Sequence, residues 1–290
     1  MGKKKTKPDP EKAVARTVDR LKKIGFTYPY DLEDRPGADD LIAAYMTAAG
    51  KFVEPLAEGM SAHGLRQGVH DTLLFLDQLL ASMASTIDFA DIGKATIACR
   101  KGCSHCCHIR VTTKAPVVLA LAFYLRKRLS VDELDLLLKR IERHVAEGLK
   151  MSPVEQVLQG RMCPLNVDGA CIGYEYRPHA CRTHHSFDVT RCQAAEAGIE
   201  RDVRVPQDIN RYSVQALVVR PVTECMKRLG LNDDDLEFIP ALQIALTQPD
   251  AIERYLSGDP IFAPAHRPEV LEAQDQQIIR LGLSRTPKPP

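Results

Sequence analysis

Cysteine is the residue whose number and spacing say most about the chemistry of this chain. Eight of its nine cysteines fall within one third of the sequence, in two blocks at 99–107 and 163–192. The members of the two blocks are Cys99, Cys103, Cys106, Cys107, Cys163, Cys171, Cys181 and Cys192. Clustered thiolates are ligands for zinc, cuprous copper and iron–sulfur clusters. Because buried hydrophobes and disulfides do not need this grouping, the sequence predicts a metal centre.

The first block can supply three ligands to one centre. Cys99, Cys103 and Cys106 are separated by three and two residues, which lets a loop turn around an ion. Cys107 directly follows Cys106, and the side chains of adjacent residues usually diverge. The pair therefore predicts a polynuclear cluster, two adjacent ions, or one thiol that stays outside the coordination shell.

Basic residues flank the thiols in both blocks. The cations are Arg100, Lys101, Arg177 and Arg182. They either offset the negative charge of a metal bound by thiolates and lower the thiol pKa values, or they are simply solvated. The histidines are His105, His108, His184 and His185. Each is a candidate ligand, proton-transfer group or ordinary polar neighbour, and the last two are favoured as ligands because they follow Cys181 in a loop.

The rest of the chain predicts a mainly α fold, a helical domain with irregular Cys-rich loops that form a metal site between helices. Apolar residues recur at helical spacing in most of it. The predicted helices are 71–87, 116–129, 130–149, 209–229, 233–247, 250–256 and 269–281. Ser130 with Glu133, and Ser152 with Glu155, are typical reciprocal helix starts. Cys225, the ninth cysteine, is expected to be a small core residue.

The segments 116–129 and 130–149 connect the two cysteine blocks. Two consecutive helices joined by a short turn run antiparallel, so their outer ends meet. We therefore expect the second block to lie beside the first, where eight thiols can form one centre.

The composition sets limits on partners and location. The chain has 290 residues, a formal net charge of +1 and 44% hydrophobic residues, so neither nucleic acid nor a membrane surface is an expected partner. It has no apolar run of about 18 residues, so no membrane span is expected. No secretory segment follows Met1, which favours a cytoplasmic, reducing location.

Composition and pattern also predict how the chain is divided. The predicted regions are a disordered basic tail at 1–10, an N-terminal helical region at 11–94, a cysteine-cluster metal-binding domain at 95–195, a C-terminal helical region at 196–282 and a disordered tail at 283–290.

The residues around both blocks resemble a known family. The run Gly102-Cys-Ser-His-Cys-Cys107, the Cys163-Pro start, the stretch from Cys171 to Pro178 and the Cys181-Arg pair are similar to the YkgJ-type cysteine-cluster family, described as a zinc- or iron-chelating domain. The family pattern is C-x-x-C-x-x-C-C, and the first interval here is one residue longer. The resemblance covers about residues 95–195 and implies zinc, iron or a [4Fe-4S] cluster on the eight cysteines.

Several functions are compatible with such a centre. The preferred one is a protein that chelates zinc or iron. An enzyme is the alternative, because flagellin lysine-N-methylases look like distant members of this family and pair such a cluster with methyl transfer from S-adenosylmethionine. No glycine-rich nucleotide loop supports that activity here, and the match of Cys99, Cys103 and Cys106 to the radical SAM triplet lacks the strand–helix repeats of those enzymes. The cysteine pattern is also compatible with a zinc-held docking module or a disulfide-stapled domain, and no substrate or protein partner follows from the sequence.

Overall fold

Helices dominate the fold. The computed structural model describes residues 10–57, 59–89, 93–100, 102–152, 155, 159, 161–197, 205–270 and 272–273. The mainly α fold predicted from the sequence is confirmed. Both predicted tails, apart from Pro10, lie outside the described residues.

The described α-helices are numbered in chain order. They are α1 Pro10–Lys23, α2 Ala38–Val53, α3 Ala62–Ser82, α4 Ala115–Arg128, α5 Val131–Gly148, α6 His179–Thr183, α7 Val189–Glu196, α8 Ile209–Arg228, α9 Phe238–Thr247 and α10 Ala251–Leu256. Single 3-10 turns lie at Tyr30–Leu32, Glu54–Leu56, Tyr174–Tyr176 and Ala263–Ala265.

The described strands are short and pair antiparallel in three separate ladders. They are β1 Thr86–Phe89 with β2 Gly93–Thr96, β3 Thr112–Thr113 with β6 Leu236–Glu237, and β4 Asn166–Val167 with β5 Ala170–Cys171. In the last ladder Asn166 is paired with Cys171.

Local signals explain the two central helices. Pro116 lies in the first turn of α4, where its missing N–H costs no hydrogen bond, and most of the helix from Ala115 to Leu125 is buried. Ser130 caps α5 by accepting from Glu133 N, and the Glu133 carboxylate accepts from Ser130 N in return. The reciprocal bonds predicted for Ser152 and Glu155 are also present, although most residues up to 160 lie outside the described residues.

One hydrophobic core joins the regions on both sides of the cysteine blocks. It draws buried side chains from Leu21 to Ala265, with Cys225 fully buried among them. Helix α2 packs against α3 and α8, while α9 packs against both α4 and α5. Helices α2 and α3 approach closely at Gly68, where a Cβ would lie 2.6 Å from the Phe52 carbonyl oxygen. The cysteine blocks are therefore mounted on a rigid helical frame.

The structure corrects two predicted helices. The helix predicted at 71–87 ends at Ser82, and Ile87 lies in β1, where its β-branched side chain suits a strand. The helix predicted at 233–247 begins only at Phe238. The Asn232 side-chain oxygen accepts from Asp234 N and holds a turn there, and β6 follows it.

The second cysteine block is also more regular than expected. It contains the β4–β5 hairpin, helix α6 and the start of α7. Of the helix predicted at 269–281, residues 269, 270, 272 and 273 are described and are helical. Across the described helices, none combines the length and apolar character that crossing a membrane requires.

Candidate metal centre

The two cysteine blocks lie side by side, as the sequence predicts. Cys163 N donates to the Cys107 carbonyl oxygen over 2.7 Å, and Ala98 N donates to the Ser186 carbonyl oxygen over 2.8 Å. These two backbone hydrogen bonds join residues that are far apart in the chain. All nine cysteines are free thiols.

A first group of thiols gathers around Ser186. The Ser186 backbone N–H donates to Cys99 Sγ over 3.2 Å, and the Ser186 hydroxyl faces Cys192. Burial raises the pKa of Cys99, and the charges of Cys103 and Cys192 raise it further. Cys99, Cys103 and Cys192 are therefore neighbours, although 93 positions separate the first from the last.

A second group gathers around the β4–β5 hairpin. Burial raises the pKa of Cys163 to about 12, and the charges of Cys171 and Cys107 add to this effect. Burial also raises the pKa of Cys181, which responds in addition to the charges of Cys163, Cys171 and Cys107. The pKa of Cys171 is raised in turn by burial and by the charge of Cys107. Each of the four thiols thus interacts with the other three.

Cys106 lies at the junction of the two groups. Its thiol donates a hydrogen bond to Cys107, and the charges of Cys107, Cys181 and Cys99 all raise its pKa. That hydrogen bond, together with the Asn166 side chain, lowers the pKa of Cys107 and makes its thiolate easier to form. Cys106 therefore interacts with one thiol of the first group, Cys99, and with two of the second, Cys107 and Cys181. We assign it to the first group because the second already has four thiols.

With this assignment we divide the eight thiols into two sets of four. We call Cys99, Cys103, Cys106 and Cys192 the first thiol set, and Cys107, Cys163, Cys171 and Cys181 the second thiol set. Among the described residues, no three Cys, His, Asp or Glu side chains have the mutual geometry of a bound ion. Four thiolates around one zinc ion lie about 3.8 Å apart, so the sulfurs of each set would have to converge.

His105 and His108 are tied to a carboxylate that the sequence did not single out. His105 Nδ1 is paired with Glu196 Oε2, and His108 Nε2 lies 3.1 Å from Glu196 Oε1. The hydrogen bond from His105 is the main cause that lowers the pKa of Glu196. This acid at the end of α7 holds the first cysteine loop against that helix.

His184 and His185 have structural contacts. His185 Nδ1 donates to the Thr183 carbonyl oxygen over 2.7 Å, and its Nε2 accepts from Asp208 N over 2.8 Å. Both ring nitrogens are therefore engaged, which leaves no lone pair of His185 for a metal. Burial lowers the pKa of His184 to about 4, and its Nδ1 lies 3.3 Å from Tyr212 Oη.

The flanking arginines differ in their roles. The Arg182 side chain is 2% exposed, pairs with Asp77 of α3 and donates from Nε to the Arg177 carbonyl oxygen, so it anchors the second block to the helical frame. Arg177 lies over the Tyr174 ring, 3.7 Å from its centre, and its charge lowers the pKa of the Cys181 thiol.

Arg100 contributes to the first block through its backbone. The Arg100 carbonyl oxygen accepts from Cys103 N over 3.0 Å and turns the loop. Lys101 lies outside the described residues. Arg211, which the sequence did not single out, supplies a positive charge that lowers the pKa of Cys99.

No match was found for this chain among family models, curated proteins or solved structures. Its function is therefore inferred from its own side chains, among which the two thiol sets are the most specific.

Proposed function

We propose that this protein binds zinc or iron through its eight clustered cysteines, in two neighbouring four-thiol sites. The observation that carries the proposal is the meeting of the two cysteine blocks, where Cys163 N donates to the Cys107 carbonyl oxygen and thiols of both blocks influence one another's pKa. Four thiolates are what a structural zinc ion takes, and also what a [4Fe-4S] cluster takes. The two sets correspond to two metal centres whose ligands meet at the adjacent residues Cys106 and Cys107.

The chemistry of the thiols favours a soft cation. Burial and neighbouring thiolates raise the pKa of most of these cysteines, so the metal-free sets are held mainly as thiols. A bound cation reverses that balance, because it stabilises several thiolates at once and releases their protons. Convergence on an ion would then draw together sulfurs that already interact electrostatically.

The resemblance to the YkgJ-type family supports the same assignment, since it implies zinc or iron on these eight positions. We assign His185 and Arg182 no part in metal binding, because both side chains are engaged in structural contacts. A role for metal in folding also fits the site, since the described residues of the first block lie in turns and irregular segments.

Metal content is the direct test. We expect purified protein to hold two equivalents of zinc, or two iron–sulfur clusters with their visible absorption after anaerobic purification. Cys103→Ser should remove the centre of the first thiol set, Cys181→Ser that of the second, and the double variant both. Elemental analysis of the folded protein measures the metal content of each variant.

Cys225→Ala is the matched control, because Cys225 is buried in the helical core and the charged groups that shift its pKa are Glu224 and Arg228. It should lose stability but keep both equivalents of metal. Wild-type metal content in both Cys103→Ser and Cys181→Ser would contradict the proposal.

A further inference from the structure

The first thiol set lies at the surface of the molecule. Cys99 is exposed, and the other members of the set are half-buried. Cys192 is carried by α7, a helix in which no residue is buried. Cys103 lies in a loop whose neighbouring residues Arg100 and Gly102 are exposed. Among the described residues, no cysteine of this set packs against a hydrophobic cluster, so apolar burial does not hold these thiols in place.

The second thiol set lies on the hydrophobic core. Cys163 and Cys171 both pack against the core, and Leu165, directly before β4, is 1% exposed. A Cβ at Gly173 would lie 2.8 Å from the side chain of Leu121 in α4, so the chain that follows the β4–β5 hairpin lies directly on that helix. Packing therefore holds these ligands in place before any metal binds.

A cavity of about 270 Å³ reaches the second thiol set, and Cys107 and Cys163 form part of its wall. Its volume lies below the roughly 300–1,000 Å³ of ligand pockets. Much of the remaining wall is aliphatic, from Val111, Val145, Leu149, Ile239 and Ile244. The arginines in the wall are already engaged by protein acceptors. A chelator with several carboxylates would have to lose its hydration to enter, so the cavity gives it no free path to these sulfurs.

Release of a metal from four thiolates requires that the ligands separate or that a competing ligand reaches them. Local opening costs little free energy in surface loops and much more in elements that are packed on a core. Opening of the second set would move the hairpin and also α6, which carries Cys181 and is anchored to α3 by the pair of Arg182 and Asp77. The two sets should therefore differ in how readily they release metal.

We propose that the first thiol set exchanges its metal with the solution, while the second thiol set keeps its metal. Occupancy of the first site then follows the metal that is available, and occupancy of the second site stays constant. The exchange rests on the proposed function, because both sets must bind metal. Cys106 is left out of the comparison, since its thiol interacts with cysteines of both sets.

Removal of zinc by EDTA tests the exchange. The full chain is loaded with two equivalents of zinc and mixed with excess EDTA, samples are desalted at intervals, and the zinc that stays on the protein is measured. We expect two phases of one equivalent each. The first phase should be faster by about tenfold or more.

Alkylation of the wild-type chain identifies the thiols that are freed in the first phase. N-ethylmaleimide is added once one equivalent of zinc has left, and mass spectrometry identifies the modified cysteines. We expect modification of Cys99, Cys103 and Cys192, whereas the second thiol set should stay protected. Cys225 is the internal control, because it is fully buried and reacts only if the core unfolds.

Two variants assign the phases independently. Cys103→Ser should lack the fast phase and release its remaining equivalent slowly. Cys181→Ser should lack the slow phase and release its remaining equivalent quickly. Cys225→Ala is the matched control, and it should release zinc in the same two phases as the wild type.

Three results would overturn the proposed exchange. They are release of both equivalents in a single phase, modification of the second thiol set before the first, and modification of Cys225 together with the first set, which would mean that the whole chain unfolds when zinc leaves. All three leave two bound equivalents at the start and so contradict the exchange alone. A chain that takes up fewer than two equivalents of zinc would contradict the proposed function as well.

Discussion

Cys106 and Cys107 are adjacent residues that we assign to different thiol sets. Their thiols are hydrogen-bonded to each other; Cys107 also interacts with Cys163, whereas Cys106 also interacts with Cys99 and Cys181. The hydrogen bond between them makes Cys107 the more acidic of the pair. A direct peptide link between ligands of two sites would hold the centres at a short, fixed separation.

The loop that carries the first thiol set depends on one glycine. Gly102 has φ +87, and beyond its chain neighbours no atom of the described residues lies within 4 Å of the position of a Cβ. Gly102→Ala therefore adds backbone strain of about 1 kcal/mol but no clash. We expect metal affinity of the first thiol set to fall about fivefold, as measured by competition with a chromophoric chelator.

Gly230→Ala is the control for that change. Gly230 has φ +71 with equally open surroundings, and it follows α8 rather than a cysteine loop. It should lose similar stability and keep its metal affinity. If both variants bound metal as the wild type does, the loop conformation would not contribute to the site.

His144 predicts a pH dependence of stability. Its folded pKa is about 4, lowered first by burial and then by Arg161 and Arg110. An unfolded histidine titrates near ~6.5, so below that pH the unfolded chain takes up a proton that the folded chain does not. The stability that neutral His144 provides is therefore complete above about pH 6.5 and is lost as the pH falls towards about 4.

We expect His144→Gln to lose less stability than the wild type between about pH 7 and pH 5, by at most about 2 kcal/mol. Urea unfolding at both pH values measures this. Both proteins carry the same cysteines, so acid release of metal cancels in the comparison. Equal losses of stability would show that His144 is protonated in the folded state.

At the scale of elements, the cap of α5 stabilises one of the two helices that connect the cysteine blocks. Ser130→Ala removes the side chain that accepts from Glu133 N, so unfolding free energy should fall by about 1 kcal/mol. Ser213→Ala is the control, since Ser213 is exposed on α8 and donates only to the preceding turn. Chemical denaturation should show a change within about 0.5 kcal/mol there. An unfolding free energy in Ser130→Ala equal to that of the wild type would mean that the cap is not formed in solution.

Helices α3 and α7 position the cysteine loops from outside. Asp77 on α3 pairs with Arg182, and Glu196 at the end of α7 holds both His105 and His108. Each contact fixes one cysteine loop to a helix. Of these two helices, α3 carries no cysteine and α7 carries only Cys192.

At the scale of the whole molecule, the helical core and the cysteine loops have different sources of stability. The core buries apolar side chains from most of the described helices, whereas the described residues of the first cysteine block lie in turns and irregular segments. Removal of metal with a chelator should therefore lower the midpoint of thermal unfolding. Hydrogen exchange should become faster in the two blocks before it does in α2 and α8.

The double variant Cys103→Ser/Cys181→Ser is the control for metal removal. Its unfolding midpoint should already be low and should not respond to the chelator. A wild-type midpoint that stays constant while metal is removed would mean that the loops are ordered by protein contacts alone.

The sequence determined the local features of this protein. Helices α4 and α5, the Ser130 cap and the two cysteine blocks follow from residues within a few positions of each other. The predicted helix end at Ile87 and the predicted helix start at Asp233 were wrong. In both places the helical spacing of apolar residues extends into segments where strand pairing or a turn forms instead. Whether a helix or a strand forms there depends on the paired strand, which lies elsewhere in the chain and is not part of the local pattern.

Only the tertiary structure decided how the side chains are combined. The hydrogen bond from Cys163 to Cys107, the engagement of His185 by Asp208, and the sharing of Glu237 by Arg110 and Arg267 all join residues distant in sequence. Spacing along the chain governs which residues a loop can present. Packing of helices on a common core governs which of those residues meet, because contacts between remote segments form only when the apolar faces that carry them are buried together.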